Sequence, residues 1–267
     1  MKKLKPYLSA FRLRALLETQ YRTAALGGIA TQFFFGVVLC AFYTALFEAN
    51  GQQDVTLPET ISYVWLQQLF FRALLASEGD LNEQIMSGSI SYTLLRPVDQ
   101  HTWWMFRTVA TKTVGVIMRL LPGLLMMMLL PEPYRLRLPA SPAAFIQFLF
   151  SASVGMVCVT QINLIVMGIV MHTMDNRGLS AMLNLIMMIF SGNIIPLTLF
   201  PASVQRLIQY QPFAQALDAP IRMYLHAQPL PVWLFNLAVQ IAWTLCLWCI
   251  SRLIWQRHLR SVVIQGG

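Results

Sequence analysis

The sequence predicts an all-α membrane protein with six transmembrane helices, and both its composition and the length of its apolar runs support this. Hydrophobic residues make up 57% of the 267 positions and charged residues only 11%, whereas soluble domains are roughly 45–50% apolar. A helix needs about 20 mostly apolar residues to cross the hydrocarbon core. Six runs are long enough: residues 23–47, 57–76, 113–130, 142–171, 179–200 and 231–254. We therefore treat residues 1–267 as one transmembrane domain.

Residues 1–21 predict an amphipathic helix that lies along the membrane surface before the first span. Leu4, Leu8 and Phe11 fall on one helical stripe, whereas Lys5 and Arg12 share another side, as in an interfacial helix. Charged residues stand where a signal peptide would carry its apolar region, which argues against a secretory leader. A solvated tail is the alternative, but the apolar stripe favours the interfacial helix.

The distribution of basic residues predicts that both termini lie in the cytoplasm. With six spans and an inner N-terminus, most lysines and arginines fall inside, and only Arg135, Arg137, Arg206 and Arg222 fall outside. Lysine and arginine accumulate in cytoplasmic loops. The net charge of +8 therefore indicates orientation in a cytoplasmic membrane, and we expect no nucleic-acid partner.

A polar segment, residues 77–100, stands between the second and third apolar runs and predicts a short cytoplasmic helix. Asp80 followed by Glu83 resembles a capping box with aspartate at the cap, and Gly88 is placed to end the helix. An apolar edge would come from Leu81, Ile85 and Met86. A structured polar element of this kind suits a contact with a partner in the cytoplasm.

The second half of this segment predicts an extended stretch and then a new helix. Ile90, Tyr92 and Leu94 alternate with polar residues, which is the period of a strand. The proline at position 97 disfavours helical geometry at Arg96. Asp99 is placed to cap the helix that follows.

The fifth apolar run is broken near its outer end. Gly192, Asn193, Pro196 and Pro201 interrupt the helical pattern, and irregular backbone is tolerated at membrane depth only where protein or a water-filled cavity covers it. The broken helix end and external helices together take up residues 192–228. Of these, residues 202–227 are too polar to span and too apolar for a free loop. They predict two short helices, split at Pro212, that rest in the outer leaflet; a plain external loop is the alternative.

Several kinds of chemistry are absent from the sequence. It has no G-x-x-x-x-G-K-[ST] phosphate loop, and its four histidines are scattered. No carboxylate lies deep within a span, where ion-coupled carriers usually need one. We therefore expect no catalytic residue, no metal site and no cofactor in this chain.

Two basic residues lie at the third apolar run, one directly before it and one within it. Lys112 and Arg119 are seven residues apart and share a helical face. Long basic side chains can extend towards the membrane surface. The alternative is that this face lines a cavity for an anionic substrate.

Three segments occur in an order typical of one family. They are residues 18–22, residues 85–97 and residues 191–201, the last followed by Pro212, Phe213 and Pro220. Together they resemble the membrane subunits of bacterial ABC-2 type exporters over nearly the whole chain. The chain departs from the family pattern at Ser89, where the family has an acidic residue.

The resemblance implies a permease that forms the path for an amphipathic or hydrophobic substrate. It would pair with a second permease, identical or paralogous, and with two ATPase subunits that carry ATP and magnesium. The residues implied in contact with the ATPase are Asp80, Leu81, Glu83, Ile85, Met86, Gly88 and Arg96. Those implied at the outer gate are Gly192, Asn193, Pro196 and Pro201. An ion-coupled secondary transporter and a non-transporting scaffold or immunity subunit are the alternative functions.

Overall fold

The computed structural model describes residues 4–20, 22–50, 55–74, 79–173 and 177–259. These ranges contain twelve α-helices, a 3-10 turn at Leu197–Leu199 and no strand. The helices are α1 (Lys5–Gln20), α2 (Arg22–Asn50), α3 (Leu57–Leu74), α4 (Gly79–Met86), α5 (Ile90–Leu94), α6 (Gln100–Met128), α7 (Pro142–Thr173), α8 (Arg177–Phe190), α9 (Ala202–Ile208), α10 (Pro212–Ala216), α11 (Asp218–Leu225) and α12 (Leu230–Leu259). The predicted all-α membrane fold is confirmed.

Four helices in the described residues are long and apolar enough to cross a membrane: α2 over Thr23–Ala49, and α6, α7 and α12 over their whole lengths. The two remaining predicted spans are shorter. Helix α3 has 18 residues, including two glutamines and an arginine, and α8 has 14 residues. At about 1.5 Å per residue, α8 covers only about 21 Å of the roughly 30 Å hydrocarbon core. Six crossings therefore stay a prediction.

Helix α7 is the centre of the bundle and is buried on most of its surface. Glycines let its neighbours approach its backbone closely. The Ala216 carbonyl oxygen of α10 would lie 2.9 Å from a Cβ added at Gly155, and Trp255 Cδ1 of α12 would lie 3.0 Å from one at Gly168. The Trp255 indole also donates to the Leu164 carbonyl at 2.7 Å. Helix α12 is thus fixed along α7.

Helix α1 packs along α6 through a different side from the apolar stripe that the sequence predicted to lie on the membrane. Tyr7, Ala10 and Arg14 face α6, and these positions recur at intervals of three and four. Leu4 and Leu8, which the prediction placed on the apolar stripe, are exposed. The burial of Ala10 and the ring contact of Tyr7 with Phe106 set the side of α1 that meets the protein.

Helix α6, which contains the third predicted span, begins earlier than that span. Helix α6 begins at Gln100, whereas the apolar run begins at residue 113. The Asp99 carboxylate accepts from the Thr102 backbone N–H at 2.9 Å, which satisfies a free donor of the first turn. The predicted cap is confirmed, and the polar first turns belong to the same helix as the apolar run.

The extended stretch predicted at residues 90–94 is wrong, because these residues form α5. Ile90 and Leu94 are four residues apart, so one helical face can bury both. Both belong to a cluster around Trp103 and Trp104, while Tyr92 points away with 75% of its surface exposed. Over five residues, strand alternation and helical spacing cannot be told apart.

The segment at residues 192–228 contains three short helices, α9 to α11, instead of the two predicted. Pro212 lies at the start of α10, so the predicted split is confirmed. Helices α10 and α11 do not simply rest on the bundle: residues 214–221 are all buried. The Gln240 amide of α12 donates to the Gln215 carbonyl at 2.6 Å and to the Ser151 carbonyl of α7 at 2.9 Å. These contacts hold α10 between α7 and α12.

Candidate functional site

Helix α4, in the first half of the polar segment, is fixed to two other helices through one carboxylate. Asp80 Oδ2 accepts from Arg14 Nη1 of α1 at 2.6 Å and from Arg107 Nη2 of α6 at 3.0 Å. We call this three-residue contact the Asp80 junction. Helix α4 begins at Gly79, so Asp80 lies inside the first turn. Its carboxylate is directed at the two arginines, and the capping role predicted for it stays a prediction.

Further contacts orient both arginines of the Asp80 junction. Arg14 Nε donates to Thr111 Oγ1 at 2.8 Å, and its Nη2 pairs with Glu18 at 2.9 Å. The Arg107 guanidinium lies 4.8 Å from the centre of a Trp104 ring. The Asp80 side chain keeps 41% of its surface exposed, so each ion pair contributes no more than about 1 kcal/mol to stability. The main consequence of the junction is therefore the fixed orientation of α4.

Leu81 anchors α4 to the interior of the protein. Its side chain is fully buried in the cluster with Ala10, Trp103 and Trp104. This burial holds α4 against the bundle, and the contact with a partner predicted for Leu81 stays a prediction. Asp80 and Leu81, which are adjacent in the sequence, therefore hold two sides of α4 against the bundle.

The other residues of the predicted partner contact have different environments. Glu83 is exposed, and Gly88 has φ +71°, the left-handed conformation that ends α4. The Arg96 guanidinium lies 5.1 Å from a Trp103 ring centre. Helix α4 includes the backbone of Ile85 and Met86, but nothing is described of the side chains of these two residues. The partner contact itself stays a prediction.

A second polar contact joins the start of α6 to α1 and α12. The Asp99 backbone N–H donates to Tyr7 Oη at 3.0 Å, and the Asp99 carboxylate lies 3.6 Å from Arg252. Burial acts to raise the pKa of Asp99, but the Thr102 hydrogen bonds and the Arg252 charge outweigh it and lower that pKa below the usual value. The carboxylate is therefore charged at neutral pH, and the cap of α6 is retained.

The predicted break after α8 is present, and its backbone is unusual. Helix α8 ends at Phe190, and Gly192 has φ +83°. Pro196 precedes the 3-10 turn and Pro201 precedes α9, both with extended ψ angles. Gly192 and Asn193 are buried, whereas Pro201 is exposed. We call residues 191–195 the outer break, after the side of the membrane that the sequence predicts for them. Its role as a gate stays a prediction.

Polar side chains of α3, which the sequence analysis did not single out, contact the outer break. Gln67 Nε2 donates to the Asn193 carbonyl at 2.8 Å. Tyr63 Oη donates to Asp218 Oδ1 of α11 at 2.9 Å, and a Cβ at Gly192 would overlap the Tyr63 hydroxyl. The sequence signal that could have pointed to these residues is the presence of polar side chains in a mostly apolar segment.

The Asp218 carboxylate is completely buried beside this contact. Its Oδ2 lies 2.7 Å from Arg222 Nε, one helical turn along α11. Arg222 Nη1 in turn donates to Gln209 Oε1 at 3.2 Å. A buried carboxylate needs such partners, so Tyr63 and Arg222 together hold Asp218 in place.

The two cations predicted for a cavity lie between helices. Lys112 is buried, and its Nζ donates to the Ala73 carbonyl near the end of α3 at 2.7 Å. The Arg119 guanidinium covers Gly28 of α2, where an added Cβ would lie 2.5 Å from Arg119 Nη2. Contact of either cation with a substrate stays a prediction. Within the described part of the chain, no group of three or more metal-ligating side chains occurs.

Comparison with known proteins identifies the family. The sequence profile of the family described as ABC-2 family transporter protein matches residues 29–266. A search of curated proteins gives no match. The matched region includes every helix from α3 to α12, the outer break and Asp80. This domain is a transport component that has no ATPase domain of its own. The chain therefore belongs to the ABC-2 transporter family, as a multi-pass membrane permease subunit.

Proposed function

We propose that this permease is the membrane subunit of an ATP-driven exporter. In this proposal two permeases, identical or paralogous, form a path for an amphipathic or hydrophobic substrate across a bacterial cytoplasmic membrane. Two separate ATPase subunits bind ATP and magnesium and press on α4 from the cytoplasm. The chain crosses the membrane six times, α1 lies along the inner surface as an elbow helix, and both termini are cytoplasmic.

The observation that carries this proposal is the Asp80 junction. A short polar helix that served only as a connection would need no bond to two other helices. Here one carboxylate joins α4 to α1 and to the 29-residue helix α6. A partner that displaces α4 must then also displace α6 or break two charge-assisted hydrogen bonds. This arrangement supports α4 as the place where force enters the permease.

Co-purification tests the proposal directly. The permease is extracted in mild detergent from cells that also express the genes next to its own, and the mass of the complex is measured. We expect two permease chains together with two chains that carry a phosphate loop and hydrolyse ATP. A permease that is purified alone and responds only to an ion gradient would contradict the proposal.

Asp80→Asn is expected to weaken retention of the ATPase subunits about tenfold, equivalent to ~1.4 kcal/mol. The substitution preserves shape but removes the charge that Arg14 and Arg107 share. The orientation of α4, and with it the surface that the ATPase meets, is then less defined. The measurement is the dissociation constant of the complex in nanodiscs.

Glu59→Gln, a carboxylate change in the first turn of α3, is the control and should leave the constant unchanged. Equal retention in both variants would contradict the role of the junction.

Thiol labelling of intact cells tests the predicted orientation. Single cysteines are placed at Ser87 and Ala227, both exposed, after the exposed Cys246 and Cys249 are replaced by serine. A membrane-impermeant maleimide should label position 227 in intact cells and position 87 only after the cells are opened, because basic loops stay inside. Labelling of position 87 in intact cells would reverse the topology.

A further inference from the structure

Helix α3 is enclosed by the bundle and connects its two polar regions. All side chains from Thr60 to Phe70 are buried, so α3 cannot shift without moving its neighbours. At its inner end, the Ala73 carbonyl accepts from Lys112 of α6 at 2.7 Å. Only four residues separate the end of α3 from the start of α4. The inner end of α3 is therefore tied both to α6 and, through the chain, to α4.

The outer half of α3 contacts the outer break through one face. Tyr63 and Gln67 are four residues apart and so lie one above the other on the helix. The tyrosine donates to Asp218 Oδ1 at 2.9 Å, and the glutamine donates to the Asn193 carbonyl at 2.8 Å. About 15 Å of helix, ten residues at 1.5 Å each, separates Tyr63 from Ala73. No glycine or proline interrupts this length, since the single proline of α3, Pro58, lies in the first turn of the helix.

The fit around Gly192 makes this contact sensitive to movement. Gly192 has φ +83°, and a Cβ at this position would overlap the Tyr63 hydroxyl. The backbone of the break therefore lies directly against the tyrosine. Any displacement of α3 along its axis must move the Tyr63 hydroxyl past Gly192 and change the hydrogen bond to Asp218.

We propose that Tyr63 and Gln67 are positioning residues that transmit displacement of α3 to the outer break and to α11. Tyr63 acts on α11 through Asp218 and on the break through Gly192, while Gln67 acts on the break through the Asn193 carbonyl. The inference rests on the proposed function, because it takes the displacement to begin at α4. It assigns a role to two residues of α3 that share no contact with the Asp80 junction.

The experiment uses Tyr63→Phe in the complete complex with its ATPase subunits in nanodiscs. The reporter is a cysteine at Ile195, an exposed residue of the outer break, in a protein with Cys246 and Cys249 replaced by serine. The rate of labelling by a charged methanethiosulfonate reagent is compared without nucleotide and after trapping with ATP and vanadate. Tyr224→Phe is the matched control. Tyr224 is also a buried tyrosine, in the segment at residues 192–228, but its hydroxyl donates to the Arg137 carbonyl at 3.0 Å.

In the protein with Tyr63 and Tyr224 intact, we expect trapping to change the labelling rate at position 195. In Tyr224→Phe, trapping should change this rate by the same factor. Tyr63→Phe should reduce the change about fivefold or more, while ATP hydrolysis, unfolding temperature and the rate without nucleotide match those of Tyr224→Phe. If the hydroxyl had a purely structural role, its loss would instead alter the unfolding temperature and the labelling rate without nucleotide. Gln67→Met, which removes the donor to Asn193, should give the same loss and replaces Tyr63→Phe if that variant does not assemble.

Three results would overturn the inference, and they differ from each other. If assembled Tyr63→Phe and Gln67→Met both keep the full change on trapping, α3 does not act through these contacts, while the proposed function stands. If the complex with both residues intact binds no ATPase, the proposed function fails and the inference fails with it; if it binds the ATPase but shows no change at position 195 on trapping, the inference alone fails.

Discussion

Gly36→Ala is expected to destabilise the permease by about 1–3 kcal/mol, the usual cost of overpacking a core. A Cβ at this position of α2 would overlap the six-membered ring of Trp65 in α3. The ring cannot easily move, because it is fully buried, stacks on Phe33 and donates its N–H to the Tyr134 carbonyl at 2.7 Å. The measurement is the unfolding temperature in detergent, followed by intrinsic tryptophan fluorescence, which should fall by several degrees.

Gly27→Ala is the control for this prediction. Gly27 lies in the same helix, and an added Cβ there would meet nothing within 4 Å. Alanine is favoured over glycine in a helix by up to about 1 kcal/mol, so this variant should be as stable as the original or more so. Equal unfolding temperatures for the two variants would contradict close packing of α2 on Trp65.

Gly192→Ala is expected to have the second large effect, about 2–4 kcal/mol, from two additive causes. The residue has φ +83°, which strains any side chain, and its Cβ would overlap the Tyr63 hydroxyl. Relief requires either a different backbone at the outer break or loss of the hydrogen bond from Tyr63 to Asp218. Amide exchange is the most direct measurement, since exchange at residues 191–195 and in α11 should accelerate together.

Gly178→Ala separates this effect from a general glycine effect. Gly178 lies in the first turn of α8, where an added Cβ has nothing within 4 Å and φ is not positive. Its exchange pattern and unfolding temperature should match the unaltered protein. If Gly192→Ala behaved in the same way, the conformation of the outer break would not depend on glycine, and its contact with Tyr63 would be incorrect.

Local sequence signals predicted the features that depend on near neighbours along the chain. Asp99 caps α6 because the carboxylate and the Thr102 N–H lie within one turn. Gly88 ends α4 in a left-handed conformation, and the glycine of the outer break adopts a positive φ. Where two local patterns coincide, as in the five residues of α5, the sequence favoured the wrong one, because burial of Ile90 against distant tryptophans decides between them.

The sequence by itself determined the class of this protein: a helical membrane permease with a polar segment between its second and third apolar runs and an interrupted fifth apolar run. Composition, the length of apolar runs and the positions of turn residues are properties of the sequence, and they do not depend on how the helices are arranged. Tertiary structure alone decided that Asp80 meets Arg14 and Arg107, and that Tyr63 meets Asp218, 155 positions away. Such pairs depend on how the helices are rotated and packed against each other. This arrangement is set by close packing of the whole interior, including the helix contacts at Gly36, Gly155 and Gly168.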